Sequence, residues 1–229
     1  MNPVRPLTLY LIRHGEVALD GPERVYGDME MPLSPLGIEQ LEAVGRRLAD
    51  IPLDLVASSD LERAKIGAES IARWQVSAPR RVVDPGFREI FRGQWRGLTW
   101  PEIEARWPGG AQEFLEKPAE YRGHDGETVA DVGSRAVQAL GRLWAKVPTG
   151  GSVAVVAHSW TIRALLTAAL DLPWNAVMQL PVDHAGVAVL GFVPESADGS
   201  GHWTLSSLRQ APCMKHRNRS LGDGAKPSG

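Results

Sequence analysis

Residues 7–16 read Leu-Thr-Leu-Tyr-Leu-Ile-Arg-His-Gly-Glu, a short apolar run that ends at Arg13, His14 and Gly15. The apolar run predicts a β-strand, and the glycine allows a sharp turn out of it with little side-chain bulk. The strand therefore delivers a guanidinium and an imidazole together at its carboxyl tip, where open α/β sheets bind their ligands. This placement suits phosphoryl chemistry. Three residues alone also fit an ordinary surface turn, so the argument depends on the rest of the chain.

Two further apolar runs are followed by residues that can bind or stabilise a phosphoryl group. Residues 54–58 predict a strand, and a helix should follow with Asp60 as its N-cap. Residues 152–157 are almost continuously apolar, as in a buried parallel strand, and His158 comes directly after them. Arg63 lies in the first turn of the predicted helix, where the macrodipole disfavours a cation by roughly 0.3–1 kcal/mol. A bound anion would reverse that sign.

Amphipathic helices are predicted between these strands. An apolar pattern with steps of three and four follows Ser34 and Pro35, which suit the N-cap and the first helical position. Another helix opens at Thr128 with Asp131 three residues later, in the manner of a capping box. Residues 186–193 and 203–208 predict closing strands, which are either parallel or form an antiparallel edge. The expected fold class is α/β, a three-layer α/β/α sandwich with a mostly parallel central sheet.

The chain is expected to form one domain over residues 1–210. Residues 91–124 break the strand and helix alternation and are rich in Trp, Arg, Gly and Pro. We interpret this segment as a cap-like insertion over the site, although an irregular surface insertion packed by its own tryptophans would explain it equally well. Residues 211–229 contain Gly, Pro and Ser around the only basic cluster, and are predicted to be a disordered tail without a function.

Composition favours an enzyme of the cytoplasm. The 229 residues carry a formal net charge of −2, which argues against nucleic acid as a partner because phosphate contacts demand a strong excess of basic residues. No stretch approaches the roughly 20 apolar residues of a membrane span, and the first residues lack the features of a signal peptide. The single cysteine, Cys213, excludes an intrachain disulfide. The expected partner is a small molecule, and the sequence does not determine the oligomeric state.

Four motifs with a characteristic order and spacing carry the chemical residues. They are Leu11-Ile12-Arg13-His14-Gly15-Glu16, Ser58-Ser59-Asp60-Leu61-Glu62-Arg63-Ala64, Arg88-Glu89-Ile90-Phe91-Arg92-Gly93-Gln94-Trp95-Arg96-Gly97 and Val156-Ala157-His158. Each motif is modest by itself, but the combined pattern resembles the histidine phosphatase superfamily, the phosphoglycerate mutase-like group that includes acid phosphatases and alpha-ribazole phosphatase. The resemblance implies a phosphoglycerate mutase-like version of the α/β fold.

The resemblance also implies a role for each chemical residue. His14 corresponds to the histidine that attacks phosphorus and becomes a phosphohistidine, which water then hydrolyses. Arg13, Arg63 and His158 correspond to the phosphate-binding residues, whose charge and donors offset what accumulates on the transferring group. Glu89 corresponds to the acid that protonates the departing oxygen and later takes a proton from water. No metal or cofactor is implied.

The remaining histidines show no pairing at metal-ligand spacing and are interpreted as structural or surface residues, with His184 as the strongest exception. The others are His124, His202 and His216.

The chain also departs from the family pattern. Asp20 stands where many members have an asparagine that donates to phosphate, and an ionised carboxylate can only accept. Ser159-Trp160 replaces a pair of small glycines after His158, which changes the wall of the pocket. The loop that contains Tyr26 and Gly27 resembles the alpha-ribazole phosphatase style. Our candidates for substrate binding are Asp20, Tyr26, Gly27 and Arg92.

These residues predict a metal-independent phosphomonoesterase that hydrolyses a small phosphorylated metabolite, with alpha-ribazole 5′-phosphate as the specific hypothesis. One alternative is a phosphoglycerate mutase-type phosphotransferase, but the interval from Glu89 to His158 is short for the insertion that would shield its intermediate from water. Another alternative is a non-catalytic module that binds a phospho-ligand, suggested by Asp20 and by Ser159-Trp160. The chemical positions are filled in all four motifs, which weighs against that module.

Overall fold

The computed structural model describes residues 7–194 and 201–208. The described strands are β1 (Leu7–Arg13), β2 (Leu55–Ser58), β3 (Arg80–Val83), β4 (Ser152–Ala157), β5 (Val187–Pro194) and β6 (Gly201–Ser207). They form one sheet in the order β3-β2-β4-β1-β5-β6, in which β1 to β4 are parallel and β5 and β6 form an antiparallel edge. The mostly parallel sheet is confirmed. The closing strands take the antiparallel alternative, and the short, exposed β3 was not predicted.

Helices cover both faces of the sheet, which confirms the three-layer α/β/α sandwich. The helices are α1 (Pro35–Arg47), α2 (Glu62–Arg73), α3 (Trp100–Arg106), α4 (Gly110–Glu116), α5 (Val129–Trp144) and α6 (Ser159–Ala169), with 3₁₀ turns at Pro85–Phe87, Gly93–Trp95 and Trp174–Gln179. Side chains of β1 alternate between the faces: Leu9 and Leu11 pack with α5 and α6, whereas Ile12 packs with α1 and α2.

Helix starts follow the sequence signals with one exception. Ser34 caps α1 through a hydrogen bond from the Gly37 amide to its hydroxyl, and the Thr128 capping box of α5 is present. The expected cap of α2 at Asp60 is wrong, because the helix begins one residue later than that cap requires, with Leu61 at the N-cap position. The Asp60 carboxylate instead accepts two hydrogen bonds from the Arg88 guanidinium, each of 2.9 Å. Two charge-assisted hydrogen bonds are stronger than the one that an N-cap side chain accepts from a backbone amide.

The segment 91–124 is less irregular than its composition suggests. It contains α3 and α4, and the fully buried Trp95 packs against Phe114 and Tyr121 in a third apolar cluster. The packing of its own aromatic residues matches the alternative interpretation, and its contacts with Trp160 bring it next to α6. Whether it acts as a cap stays a prediction. The predicted tail and Cys213 lie outside the described residues. Within the described residues, no helix is long and apolar enough to cross a membrane.

Candidate active site

Three neighbouring strands end at the same edge of the sheet. In the parallel register Arg13 of β1 lies opposite Ala157 of β4, and Ser58 of β2 lies opposite Val156. The residues that follow these strands are therefore brought together, as the sequence predicts. His14, Arg63 and His158 are all buried there, with at most 1 % of each residue exposed.

The His14 ring is fixed by the backbone of its own loop. Its Nδ1 lies 2.7 Å from the carbonyl oxygen of Gly15, which can only accept a hydrogen bond. The proton therefore sits on Nδ1, and Nε2 keeps a free lone pair. Gly15 is required by close approach, because a Cβ at this position would lie 2.1 Å from the carbonyl oxygen of Gly37 in α1. The sequence indicated the need for such an acceptor but could not identify it.

Burial and positive neighbours keep His14 neutral. Burial lowers the pKa of His14 well below its usual value of 6.5, and the guanidinium groups of Arg63 and Arg13 lower it further. The ring is thus unprotonated at neutral pH. An unprotonated imidazole nitrogen beside two guanidinium groups is a nucleophile placed where an anionic electrophile would be attracted.

His158 lies beside His14, with ring centroids 5.1 Å apart. Its Nε2 is 2.7 Å from the hydroxyl oxygen of Ser59, which also accepts a hydrogen bond from the Leu61 amide. When the hydroxyl donates to Nε2, the His158 proton resides on Nδ1, which has no partner in the structure. Burial lowers the pKa of His158 well below its usual value of 6.5, and electrostatic interaction with His14, Arg63 and Arg13 lowers it further. A neutral ring with a free N–H donor results.

His184 supports Arg13. One terminal nitrogen of Arg13 lies 2.8 Å from Nε2 of His184, and the other donates to the carbonyl oxygen of Val182 at 2.8 Å. The rings of His184 and His14 are 5.6 Å apart, and burial lowers the pKa of His184 to about 4. A neutral His184 can accept from the guanidinium. The loop before β5 supplies this histidine. From the sequence it was only the strongest exception among the histidines interpreted as structural or surface residues.

Arg63 is anchored by the loop that contains Tyr26 and Gly27. It donates to the carbonyl oxygens of Met29 at 2.6 Å and Gly27 at 2.8 Å, and its guanidinium lies 5.4 Å from the centre of the Tyr26 ring. Its Nε is buried without a partner. In the structure Tyr26 and Gly27 contact this arginine, and their expected role in substrate binding stays a prediction.

Glu89 lies against the N-terminus of α6. The amides of Trp160 and Thr161 donate to its two carboxylate oxygens at 3.2 Å each, and the Ile90 amide donates at 2.9 Å. Glu89 is 6 % exposed, and its charge interacts electrostatically with Arg63. Amides at a helix start attract negative charge. Of the pair Ser159-Trp160, only Trp160 therefore supplies a backbone donor to Glu89.

Arg92 and Asp20 differ in burial. Arg92 is 3 % exposed, and its guanidinium lies 4.5 Å from the Phe114 ring centre and 4.6 Å from that of Trp160. Burial lowers its pKa to about 10, so it stays charged. Asp20 is exposed and has no hydrogen bond or ion pair to another described residue. The structure thus brings Arg92 near Glu89 but does not bring Asp20 into contact with the site.

Two further features bear on ligands. Within residues 7–194 and 201–208 there is no group of three or more His, Cys, Asp or Glu residues that could hold a metal ion.

A cavity of about 490 Å³ with a mostly apolar lining, including Leu7, Trp144 and Trp203, lies at the opposite end of the sheet. It contains none of the predicted site residues.

Comparisons with known proteins identify relatives of this chain in sequence and in fold. Glucosyl-3-phosphoglycerate phosphatase of Mycolicibacterium vanbaalenii is 32 % identical over 176 residues, which cover 74 % of this chain and 77 % of that protein. A solved structure titled mycobacterial hydrolase 2 matches with a TM-score of 0.84 at 30 % identity, over 93 % of this chain and 94 % of the other.

An alpha-ribazole phosphatase from Shigella flexneri has a TM-score of 0.74 at 22 % identity over 88 % of this chain and 96 % of its own, a likeness of fold. The predicted fold class is confirmed. The family model of the histidine phosphatase superfamily, branch 1, matches residues 9–201. This chain therefore belongs to the histidine phosphatase superfamily.

Proposed function

We propose that this protein is a phosphomonoesterase that acts through a phosphohistidine at His14. The observation that carries the proposal is the state of the His14 ring: its Nδ1 is bonded to the Gly15 carbonyl, and its neutral Nε2 lies near Arg13 and Arg63. These features supply a nucleophile, its orientation and the charge that a phosphoryl group requires. The relatives at 30 % identity or more are named as phosphatases, which supports hydrolysis as the reaction, whereas relatives at 26 % identity are named as probable phosphoglycerate mutases.

In the first step Nε2 of His14 attacks phosphorus and the bond from phosphorus to the ester oxygen breaks. The electron pair of that bond goes to the ester oxygen, which takes a proton from the Glu89 carboxylic acid. In the second step water attacks phosphorus and transfers a proton to the Glu89 carboxylate, while the bond to Nε2 breaks. Free phosphate leaves, and both residues return to their starting states.

The phosphoryl oxygens would be bound by donors that the structure leaves available. Arg13 and Arg63 provide charge, and each has a buried Nε without a partner. The unpartnered Nδ1 of His158 provides a further donor at the same edge of the sheet. Every step is assigned to side chains, so we propose that the reaction is metal-independent and expect turnover to survive a chelator.

The substrate is proposed to be a small phosphorylated metabolite of the cytoplasm. The relative at 32 % identity is named for a phosphorylated glycerate, whereas the alpha-ribazole phosphatase is similar in fold alone. A phosphorylated glycerate derivative is therefore favoured over alpha-ribazole 5′-phosphate, the hypothesis from the loop that contains Tyr26 and Gly27.

A panel of phosphate esters, with free phosphate as the measured product, tests the proposed function. The panel should include phosphoglycerates, alpha-ribazole 5′-phosphate, sugar phosphates and nucleotides. We expect phosphate release by the wild type and none by a His14→Ala variant. Isomerised phosphoglycerate without phosphate release would instead indicate a mutase. Vanadate binding without cleavage of any ester, from acid to neutral pH, would indicate a binding module.

A further inference from the structure

Arg13 and Arg63 are held in the same way, except for one partner. Each donates from both terminal nitrogens to fixed acceptors and keeps a buried Nε without a partner. The acceptors of Arg63 are two backbone carbonyl oxygens, whereas Arg13 has one carbonyl, that of Val182, and the side chain of His184. A backbone carbonyl accepts a hydrogen bond whichever residue carries it. The orientation of Arg13 therefore depends on the identity of one side chain.

The contact fixes the tautomer of His184. Its Nε2 lies 2.8 Å from a terminal nitrogen of Arg13, and a guanidinium can only donate. Nε2 must therefore carry the lone pair, and Nδ1 carries the proton. Burial, and to a lesser extent the charge of Arg13, lowers the pKa of His184 to about 4. The neutral form that accepts a hydrogen bond is thus present at neutral pH.

The turn that carries His184 is built around the end of β1. Ala185 has a φ of 53°, a left-handed conformation that costs energy in a residue with a side chain. Its amide donates to the carbonyl oxygens of Arg13 and His14 at 3.1 Å each, and the Arg13 amide donates to the Gly186 carbonyl oxygen at 3.1 Å. These hydrogen bonds hold the strained residue in place. The turn thereby brings the imidazole of His184 to the guanidinium of Arg13.

The two anchors decide which donors of Arg13 remain for a ligand. With Nη1 bonded to Val182 and Nη2 bonded to His184, the Nε hydrogen and the second hydrogen of each terminal nitrogen remain. A planar guanidinium that is held at two points presents these donors in one direction. Loss of the His184 bond would free one side of the group, and phosphoryl binding would then have to order it again.

We propose that His184 is a positioning residue of the phosphoryl site, whose Nε2 holds Nη2 of Arg13 so that the free donors of Arg13 point to the phosphoryl group. The proposal rests on the proposed function for the role of Arg13, but it concerns phosphoryl binding and not hydrolysis. His184 also neighbours His14, whose ring centre is 5.6 Å away. The test must therefore separate an action through Arg13 from an action on the nucleophile.

The test is a double-mutant cycle between His184 and Arg13 with two measured quantities. They are the dissociation constant of vanadate, which requires no turnover, and kcat/KM for p-nitrophenyl phosphate. His184→Leu removes the acceptor and is made in the wild type and in Arg13→Lys. His184→Gln can place its amide oxygen near the position of Nε2, whereas His184→Asn is too short to do so. His202→Leu, at an exposed position on β6, is the control.

We expect His184→Leu and His184→Asn to weaken vanadate binding and to lower kcat/KM about tenfold each, as for loss of a hydrogen bond to a charged group. His184→Gln retains the acceptor and should stay within about threefold of the wild type, and His202→Leu should match the wild type. In Arg13→Lys the leucine substitution should change both quantities less than about twofold, because the partner through which it acts is already altered.

An equal effect of His184→Leu in both backgrounds would overturn the proposal, because His184 would then act without Arg13. So would unchanged vanadate binding and kcat/KM in His184→Leu, or equal losses in His184→Gln and His184→Asn, a comparison that carries the test where leucine prevents folding. Absence of phosphate release from any ester, with vanadate binding in the expected pattern, would overturn the phosphatase function and leave the positioning role intact. A wild type with neither vanadate binding nor turnover would overturn both.

Discussion

Replacement of His124 by leucine is expected to make the protein less sensitive to acid. His124 is fully buried, stacks on Tyr121 at 5.5 Å and lies 4.6 Å from the Trp95 ring centre, and neither of its ring nitrogens has a partner. Burial lowers the pKa of His124 to about 4, and the charge of Arg92 contributes in the same direction. The ring is therefore neutral in the folded protein at any pH near neutrality.

The sign and size of the effect follow from the difference in proton binding. The pKa of His124 is about 4 in the folded state and 6.5 when unperturbed. Between these values the unfolded chain binds more protons, so stability is present above pH 6.5 and is lost as the pH falls. From neutral pH to about pH 5 the loss from this one residue is about 2 kcal/mol. A leucine cannot titrate and therefore removes this loss.

Urea denaturation at neutral pH and at about pH 5 measures the effect. The free energy of unfolding should fall by about 2 kcal/mol less in His124→Leu than in the wild type. Any change in packing affects both pH values and cancels, and the acid sensitivity of the other buried histidines is common to both proteins. His202→Gln, at an exposed position on β6, should follow the wild type. An equal loss in wild type and His124→Leu would refute the reasoning.

Three further substitutions test the supports of the site. Ser59→Ala leaves the buried Nε2 of His158 without a donor, so it should lower kcat about tenfold and the free energy of unfolding by about 1–3 kcal/mol, as measured by kinetics and denaturation. Gly15→Ala places a Cβ 2.1 Å from the Gly37 carbonyl and should destabilise by about 1–3 kcal/mol with loss of activity, whereas Gly141→Ala, with open space around it, should not destabilise. Arg135 donates to the carbonyl oxygens of residues 86, 88 and 89 and pairs with Glu127, so Arg135→Lys should lower kcat more than it changes KM. Unaltered kcat in Ser59→Ala or Arg135→Lys, or a stable and active Gly15→Ala, would count against these roles.

The sequence alone is sufficient to predict the site residues that come directly after parallel strands. Arg13, His14 and His158 end apolar runs, and the carboxyl ends of parallel strands meet at one edge without further information. Arg63 is found by the same logic, in the first turn of α2. Glu89 follows no such strand, so its position depended on the resemblance to a family. The structure brings all five together.

Other parts of the site depend on long-range packing that leaves no local signal. His184 reaches the edge because β5 runs antiparallel to β1, and the sequence did not decide that direction. Asp60 was expected to cap a helix, but the guanidinium of Arg88, far along the chain, provides a stronger partner. The role of Gly15 as acceptor for His14 depends on a loop geometry that only coordinates reveal.

Identification of the phosphorylated residue tests the central claim most directly. The enzyme is mixed with p-nitrophenyl phosphate, quenched rapidly in alkali, in which phosphohistidine survives, and analysed by peptide mass spectrometry. We expect phosphate on His14 in the wild type, more of it in Glu89→Gln because release to water is slowed, and none in His14→Ala. Phosphate on another residue, or full turnover by His14→Ala, would contradict the account.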